Sequence, residues 1–192
     1  MGRRAAIAGT MTAIVFVAVL VFLAKRGVPA SAGIKTANAA TGAASPAPAP
    51  PGRKIKARLF YVADDGGLLT SVERDVAYGE GVEAQAREII AAQIAQVAEP
   101  LVSAIPRGTT LRAVFITKSG DAYVDLSREA RSGHPGGTVN ELLTVYTIVN
   151  ALTENLPAVT AVQLLVDGKE VDTLAGHVDL RRPLAKNLTW VQ

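Results

Sequence analysis

His134, His177, Asp121, Asp125 and Asp179, with a serine or threonine, are the side chains from which this chain would have to assemble a hydrolytic centre. An imidazole can serve as general base, a carboxylate can orient it and a hydroxyl can attack, while two imidazoles and a carboxylate can hold zinc. His177 stands two residues before Asp179, and His134 lies in the loop Ser132–Gly137, so either arrangement is conceivable. The spacings, however, match neither HExxH nor GxSxG, the patterns that place such groups on one helix turn or one strained elbow. The glycines of Gly133–Gly137 resemble a phosphate cradle, but no Lys-Ser/Thr pair follows them. There is no cysteine, which removes thiolate metal sites, disulfides and lipid-modified cysteine. The sequence therefore assigns no catalytic, cofactor-binding or metal-ligating residue, and it reads as a protein that is not an enzyme.

The elements that would carry these residues follow from periodicity. Arg58–Val62 is apolar and aromatic enough for a buried strand, Asp64-Asp65-Gly66-Gly67 is a turn, and Leu68–Val76 returns as a second strand. Val82, Ala86, Ile89, Ile90, Ile94 and Val97 then recur at helical spacing, predicting an amphipathic helix over Val82–Ala98. Thr110–Thr117 and Ala122–Leu126 read as a second hairpin. Val139–Asn155 reads as a second, more buried helix, with Thr138 and Glu141 at capping-box spacing. Pro157 ends it, and Ala161–Val166 pairs with Glu170–Leu174 across Asp167-Gly168, a strong hairpin signal. The predicted fold is α+β, ββα-ββα-ββ: one mostly antiparallel sheet with two helices packed on one face. Ile105-Pro106-Arg107-Gly108 is a turn into a strand, and Asp125-Leu126-Ser127 ends one through side-chain to backbone hydrogen bonds.

Ahead of this domain, Ala5–Ala24 is an uncharged run of twenty residues, and at about 1.5 Å per residue it spans the hydrocarbon of a bilayer. Two assignments compete for it. Arg3 and Arg4 with Ala30-Ser31-Ala32 resemble a cleavable signal peptide, whereas the length of the run and the intervening Lys25 and Arg26 favour a retained signal-anchor. Residues 1–4 are then a cytoplasmic tail, 5–24 a transmembrane helix and 25–52 a disordered Ala/Pro-rich linker. The folded domain occupies 53–192 and faces the extracytoplasmic side of a bacterial inner membrane. Nine basic residues and no acidic one precede residue 59, while eleven basic face seventeen acidic beyond it, a net of −6. An acidic folded part argues against nucleic acid as a partner. The cluster Arg53, Lys54, Lys56, Arg58 reads as a solvated lead-in to the first strand, or as a contact to anionic head groups.

The stretches Leu59–Leu69, Glu73–Val76, Ser103–Leu111, Ala122–Ser127, Asn140–Lys169 and Ala175–Leu180 together resemble a GerMN domain, the module of sporulation and spore germination proteins. The likeness covers residues 57–184. It implies a non-enzymatic module of the cell envelope, similar in pattern to ring-building domains and carried by membrane-tethered or lipid-anchored proteins. This chain differs from the family pattern in lacking the anchoring cysteine, in holding one copy and in having Glu99 before Pro100. The resemblance implies envelope proteins or a peptidoglycan-associated assembly as partners, with self-association possible, and no cofactor. An LpqB-like accessory of a membrane sensor or wall-remodelling system is the alternative, and a wall hydrolase the third.

Overall fold

A computed structural model describes residues 52–192. The element order is β1 (Lys54–Val62), β2 (Leu69–Ala77), α1 (Val82–Ile94), β3 (Leu111–Ile116), β4 (Asp121–Leu126), the single turn α2 (Glu129–Ser132), α3 (Thr138–Asn155), β5 (Ala161–Val166), β6 (Lys169–Glu170) and β7 (Leu184–Ala185). The membrane run Ala5–Ala24, the tail before it and the linker up to residue 51 lie outside the described residues. Among the described residues no helix is long and apolar enough to cross a membrane.

The α+β class and the main elements match the sequence expectation, but the sheet does not. Instead of one sheet there are two: an antiparallel hairpin β1–β2, and a five-stranded sheet of order β3-β4-β5-β6 with β7 also on β5. Within the second, β4 and β5 run parallel, Asp121 opposite Ala161 through Leu126 opposite Val166. The reason is α3, which carries the chain back along its own length before β5 begins, as a crossover between parallel neighbours must. The helices are likewise not confined to one face of one sheet. They pack on each other and reach both sheets, α1 against β2 and β3, α3 against β1 and β5.

β1 is longer than expected because Lys54 and Lys56 of the basic cluster belong to it along with Arg58. Lys54, Lys56 and Arg58 alternate with Ile55, Ala57 and Leu59, the period of a half-buried strand, and the apolar set points into the core. The cations are engaged on the outer surface: Lys56 pairs with Asp75 at 2.6 Å and Arg58 with Glu154 at 3.2 Å, and Arg53 sits over the Tyr78 ring at 4.0 Å. Beyond Arg58, Phe60 and Tyr61 are both fully buried, since α1 and α3 close over this end of the hairpin.

Three other boundaries moved. α1 stops at Ile94, because Ala95 leaves the helical region at φ −54, ψ 144. Gly137, not Thr138, is the N-cap of α3, and no side-chain capping bond forms there. The strand expected over Glu170–Leu174 shortens to Lys169–Glu170, the chain beyond it being drawn toward α3. The Asp167-Gly168 turn is as expected, with φ of 51 and 75, the left-handed pair that a two-residue hairpin needs and that glycine adopts without strain. The Ile105–Gly108 turn also forms, closed by Thr109 N–H donating to the Pro106 carbonyl at 3.2 Å, with Gly108 at φ 83.

Candidate functional site

The first turns of α3 bring both histidines to one region. Glu141 lies on the same helical stripe as Val145, Ile148 and Leu152 and is, like them, fully buried. Its Oε1 accepts the backbone N–H groups of Leu174 at 2.7 Å and Ala175 at 2.9 Å. Its Oε2 accepts the His177 backbone N–H at 2.8 Å and stands 3.2 Å from His177 Nδ1. One carboxylate thus gathers the whole turn Leu174–His177 onto the helix. The same loop is held at its far end by Gln163 Nε2, which donates to the Leu180 carbonyl.

One helical turn on, His134 Nδ1 accepts the Gly136 N–H at 2.9 Å, so Nε2 carries the proton and donates to Thr144 Oγ1 at 3.1 Å. The Thr144 hydroxyl in turn lies 2.7 Å from the Ala104 carbonyl and 2.9 Å from that of Asn140. His134 is therefore the pin of the glycine-rich loop, and both of its ring nitrogens are occupied.

The aspartates go elsewhere. Asp121 accepts from Ser119 Oγ at 2.9 Å within its own turn. Asp125 accepts Arg112 Nε at 3.1 Å and the Gly168 N–H at 2.8 Å, tying the β5–β6 turn to β4. Ser127 Oγ accepts the Thr110 N–H at 3.0 Å, so this strand end is closed by side chain to backbone bonds as the sequence suggested. Asp179, the expected neighbour of His177, is instead held by Arg181, whose Nε and Nη2 donate at 2.9 and 2.7 Å. That fork holds its carboxyl well below the usual range. No cluster of three metal-binding side chains occurs among the described residues. A cleft of about 250 Å³ runs beside Ile94, Val97, Leu101, Ile105 and Pro106, and none of these candidate residues lines it.

Sequence reasoning missed Glu141 as a buried anchor and took it for a capping residue. The available signal was its place on the apolar stripe, where an acid must find partners or stay neutral. Burial pushes the Glu141 carboxyl up, but the N–H groups of Ala175, His177, Leu174 and Val178 outweigh it and leave the group below its ordinary value of 4.5. Burial also holds the His134 imidazole below its ordinary 6.5, against the pull of the Glu141 charge.

In both cases the unfolded chain binds its proton at a higher pH than the folded one. Stability is expected to be full above 6.5, to decline first as His134 of the unfolded chain protonates, and to decline again below 4.5 as Glu141 does. Urea midpoints measured between pH 7.5 and pH 3 should show both declines, and His134→Gln should remove only the upper one.

Taken together, the fold defines a small α+β domain in which two sheets are braced by one pair of helices, and its polar residues of catalytic type serve the loops. The family model described as Germane, sporulation and spore germination, matches residues 58–172, and the chain belongs to that family. Among solved structures, the first GerMN domain of the sporulation protein GerM from Bacillus subtilis is similar at 19% identity and TM-score 0.53, covering 68% of this chain and 97% of that one. A Clostridium perfringens protein described as a lipoprotein is similar at 23% identity and TM-score 0.50, covering 69% and 88%. The tandem GerMN domains of Bacillus subtilis GerM align at 18% identity and TM-score 0.51, covering 71% of this chain and 46% of theirs. A comparison with curated proteins finds no match.

Proposed function

We propose that this chain is a non-catalytic interaction and assembly module of the bacterial cell envelope, held at the extracytoplasmic side of the inner membrane by Ala5–Ala24. The observation that carries this is the employment of the histidines. His134 spends both ring nitrogens on Gly136 and Thr144, and His177 lies against a buried carboxylate that three backbone N–H groups already hold. A general base needs a free nitrogen aimed at a reacting atom, and a zinc ligand needs a free lone pair. His134 offers neither; His177 keeps Nε2 without a partner among the described residues, but no cluster of three metal-binding side chains occurs among them and Asp179 is held by Arg181 instead. Membership of a sporulation-associated family and a fold shared with a protein described as a lipoprotein support the envelope setting.

The test is photo-crosslinking of the full chain in native membranes, followed by identification of the captured proteins. Recovery of envelope proteins, or of this chain crosslinked to itself, is the expected result, and a sensor kinase as the dominant capture would select the accessory role. Capture of ribosomal and other cytosolic proteins alone would overturn the placement. Wall-hydrolytic activity lost on His177→Ala would overturn the non-catalytic assignment.

A further inference from the structure

The hairpin β1–β2 carries a backbone edge whose hydrogen-bonding groups can be followed residue by residue. Its ladder is bracketed by Tyr78 N–H donating to the Arg53 carbonyl at 2.8 Å and Ala63 N–H donating to the Leu68 carbonyl at 2.9 Å. With Ala57 opposite Arg74 and Leu59 opposite Val72, the alternation of an antiparallel pair directs the backbone groups of Ile55, Ala57, Leu59 and Tyr61 inward. Lys54, Lys56, Arg58, Phe60 and Val62 then point out of the sheet on one side, and Leu69, Ser71, Glu73, Asp75 and Ala77 on the other.

On the β1 side the outward groups are mostly taken. Asn155 bonds both backbone groups of Arg58, at 2.8 and 2.7 Å, and Gln93 both of Phe60, at 2.9 and 2.7 Å. Val62 donates to the Val102 carbonyl at 2.8 Å. On the β2 side only the two ends are taken. Leu69 donates to the Trp190 carbonyl at 2.7 Å and accepts from Gln192 at 2.9 Å, and the Ala77 carbonyl accepts Gln85 Nε2 at 3.0 Å. Between them, the backbone groups of Ser71, Glu73 and Asp75 have no partner among the described residues. The isolated parallel bridge of Leu69 with Val191 shows the end of this same edge already pairing with an extended segment.

We infer that the β2 edge over Ser71–Asp75 is a strand-acceptor site for an extended segment of a partner protein that places a lysine or arginine beside Glu73. The backbone supplies three outward donors and three outward acceptors, enough for a segment of about five residues in the strand-addition mode. The charges select the occupant. Ser71, Glu73 and Asp75 share the outer face of the strand; Asp75 is already paired with Lys56, whereas Glu73 is exposed and forms no ion pair among the described residues. Two-fold pairing of β2 with a second copy sets Glu73 against Glu73 or Asp75, and like charges opposite each other are destabilising. The Lys54–Lys56 edge of a second copy has matching charge, but α3 braces that strand from Arg58 onward and leaves it only two outward residues. A basic, alternating segment meets both the backbone and the charge requirement.

This inference rests on the interaction-module reading, and its test is separable from crosslinking because it uses purified full chain. The probe is a fluorescent nine-residue peptide of alternating lysine and threonine, titrated by anisotropy. Controls are an alternating glutamate and threonine peptide, and a lysine peptide N-methylated along one edge. The lysine peptide is expected to bind saturably. N-methylation, exchange of lysine for glutamate, Glu73→Pro and Glu73→Lys should each weaken binding about tenfold or more. Glu73→Pro removes an outward N–H together with the carboxylate and no bond of the β1–β2 ladder, and Glu73→Lys keeps every backbone donor, so it decides the matter if the proline variant fails to fold. Failure of the lysine peptide to bind, or equal binding of the methylated or the acidic peptide, overturns the inference. So does a dimer in sedimentation that Glu73→Lys dissolves, which would make a second copy the occupant.

Discussion

Glu141→Ala is expected to destabilise the domain by about 3–5 kcal/mol, because several backbone N–H groups lose a buried charged acceptor together. The effect is large because the carboxylate is the sole partner of several groups at once. Its loss leaves the N–H groups of Leu174, Ala175 and His177 unpaired beside the helix, the first of them buried and the other two partly buried. Each unmet buried N–H costs about 1–3 kcal/mol unless water reaches it, so the loop should part from α3 and let water in. Thermal unfolding of a domain this size should then fall by roughly 10 °C. Hydrogen exchange adds a local signature, with faster exchange over Leu174–Leu180 and unchanged protection in β1. Glu141→Gln should lose less, since one amide oxygen still accepts, while its NH2 must face N–H donors. Stability equal to the unsubstituted chain in the alanine variant would show that the loop is not held by this side chain.

Gln93→Leu should cost about 2–4 kcal/mol despite preserving volume and adding apolar surface. Gln93 and Phe60 are both fully buried, and the side-chain amide imitates a neighbouring strand by accepting the Phe60 N–H and donating to its carbonyl. Leucine leaves both groups without partner or water. Asn155 does the same for Arg58, but at the domain surface, so Asn155→Leu should cost only about 1 kcal/mol because solvent replaces the amide. Urea denaturation of the two variants measures the difference, and the exchange rate of the Phe60 amide locates it. Equal losses would mean that burial of the strand edge is not what sets the cost.

These side chains also show how far the sequence could be read. The turns were legible because they are local: the hairpin turn Asp167-Gly168 and the lead-in to β3 at Ile105–Gly108 announce their geometry in two to four residues. The helices were legible because apolar side chains recur at their period over many residues. What stayed hidden depends on partners far apart in the chain. Gln93 meets Phe60 across 33 positions and Asn155 meets Arg58 across 97, and glutamine or asparagine in a helix carries no mark of such an engagement. Four cations in six residues, Arg53 to Arg58, resemble a solvated lead-in. The alternation of Lys54, Lys56 and Arg58 with Ile55, Ala57 and Leu59 is the better guide, and it places those three in β1.

Local chemistry written in the sequence determined the α+β class, the succession of most strands and helices, the want of any recognisable catalytic spacing, and the family. Tertiary structure alone decided that the strands divide into two sheets, that β4 and β5 run parallel, and that Glu141 rather than Asp179 meets His177. Side-chain periods and turn residues act over a few positions, whereas sheet order and buried polar pairing are settled by which distant surfaces exclude water together.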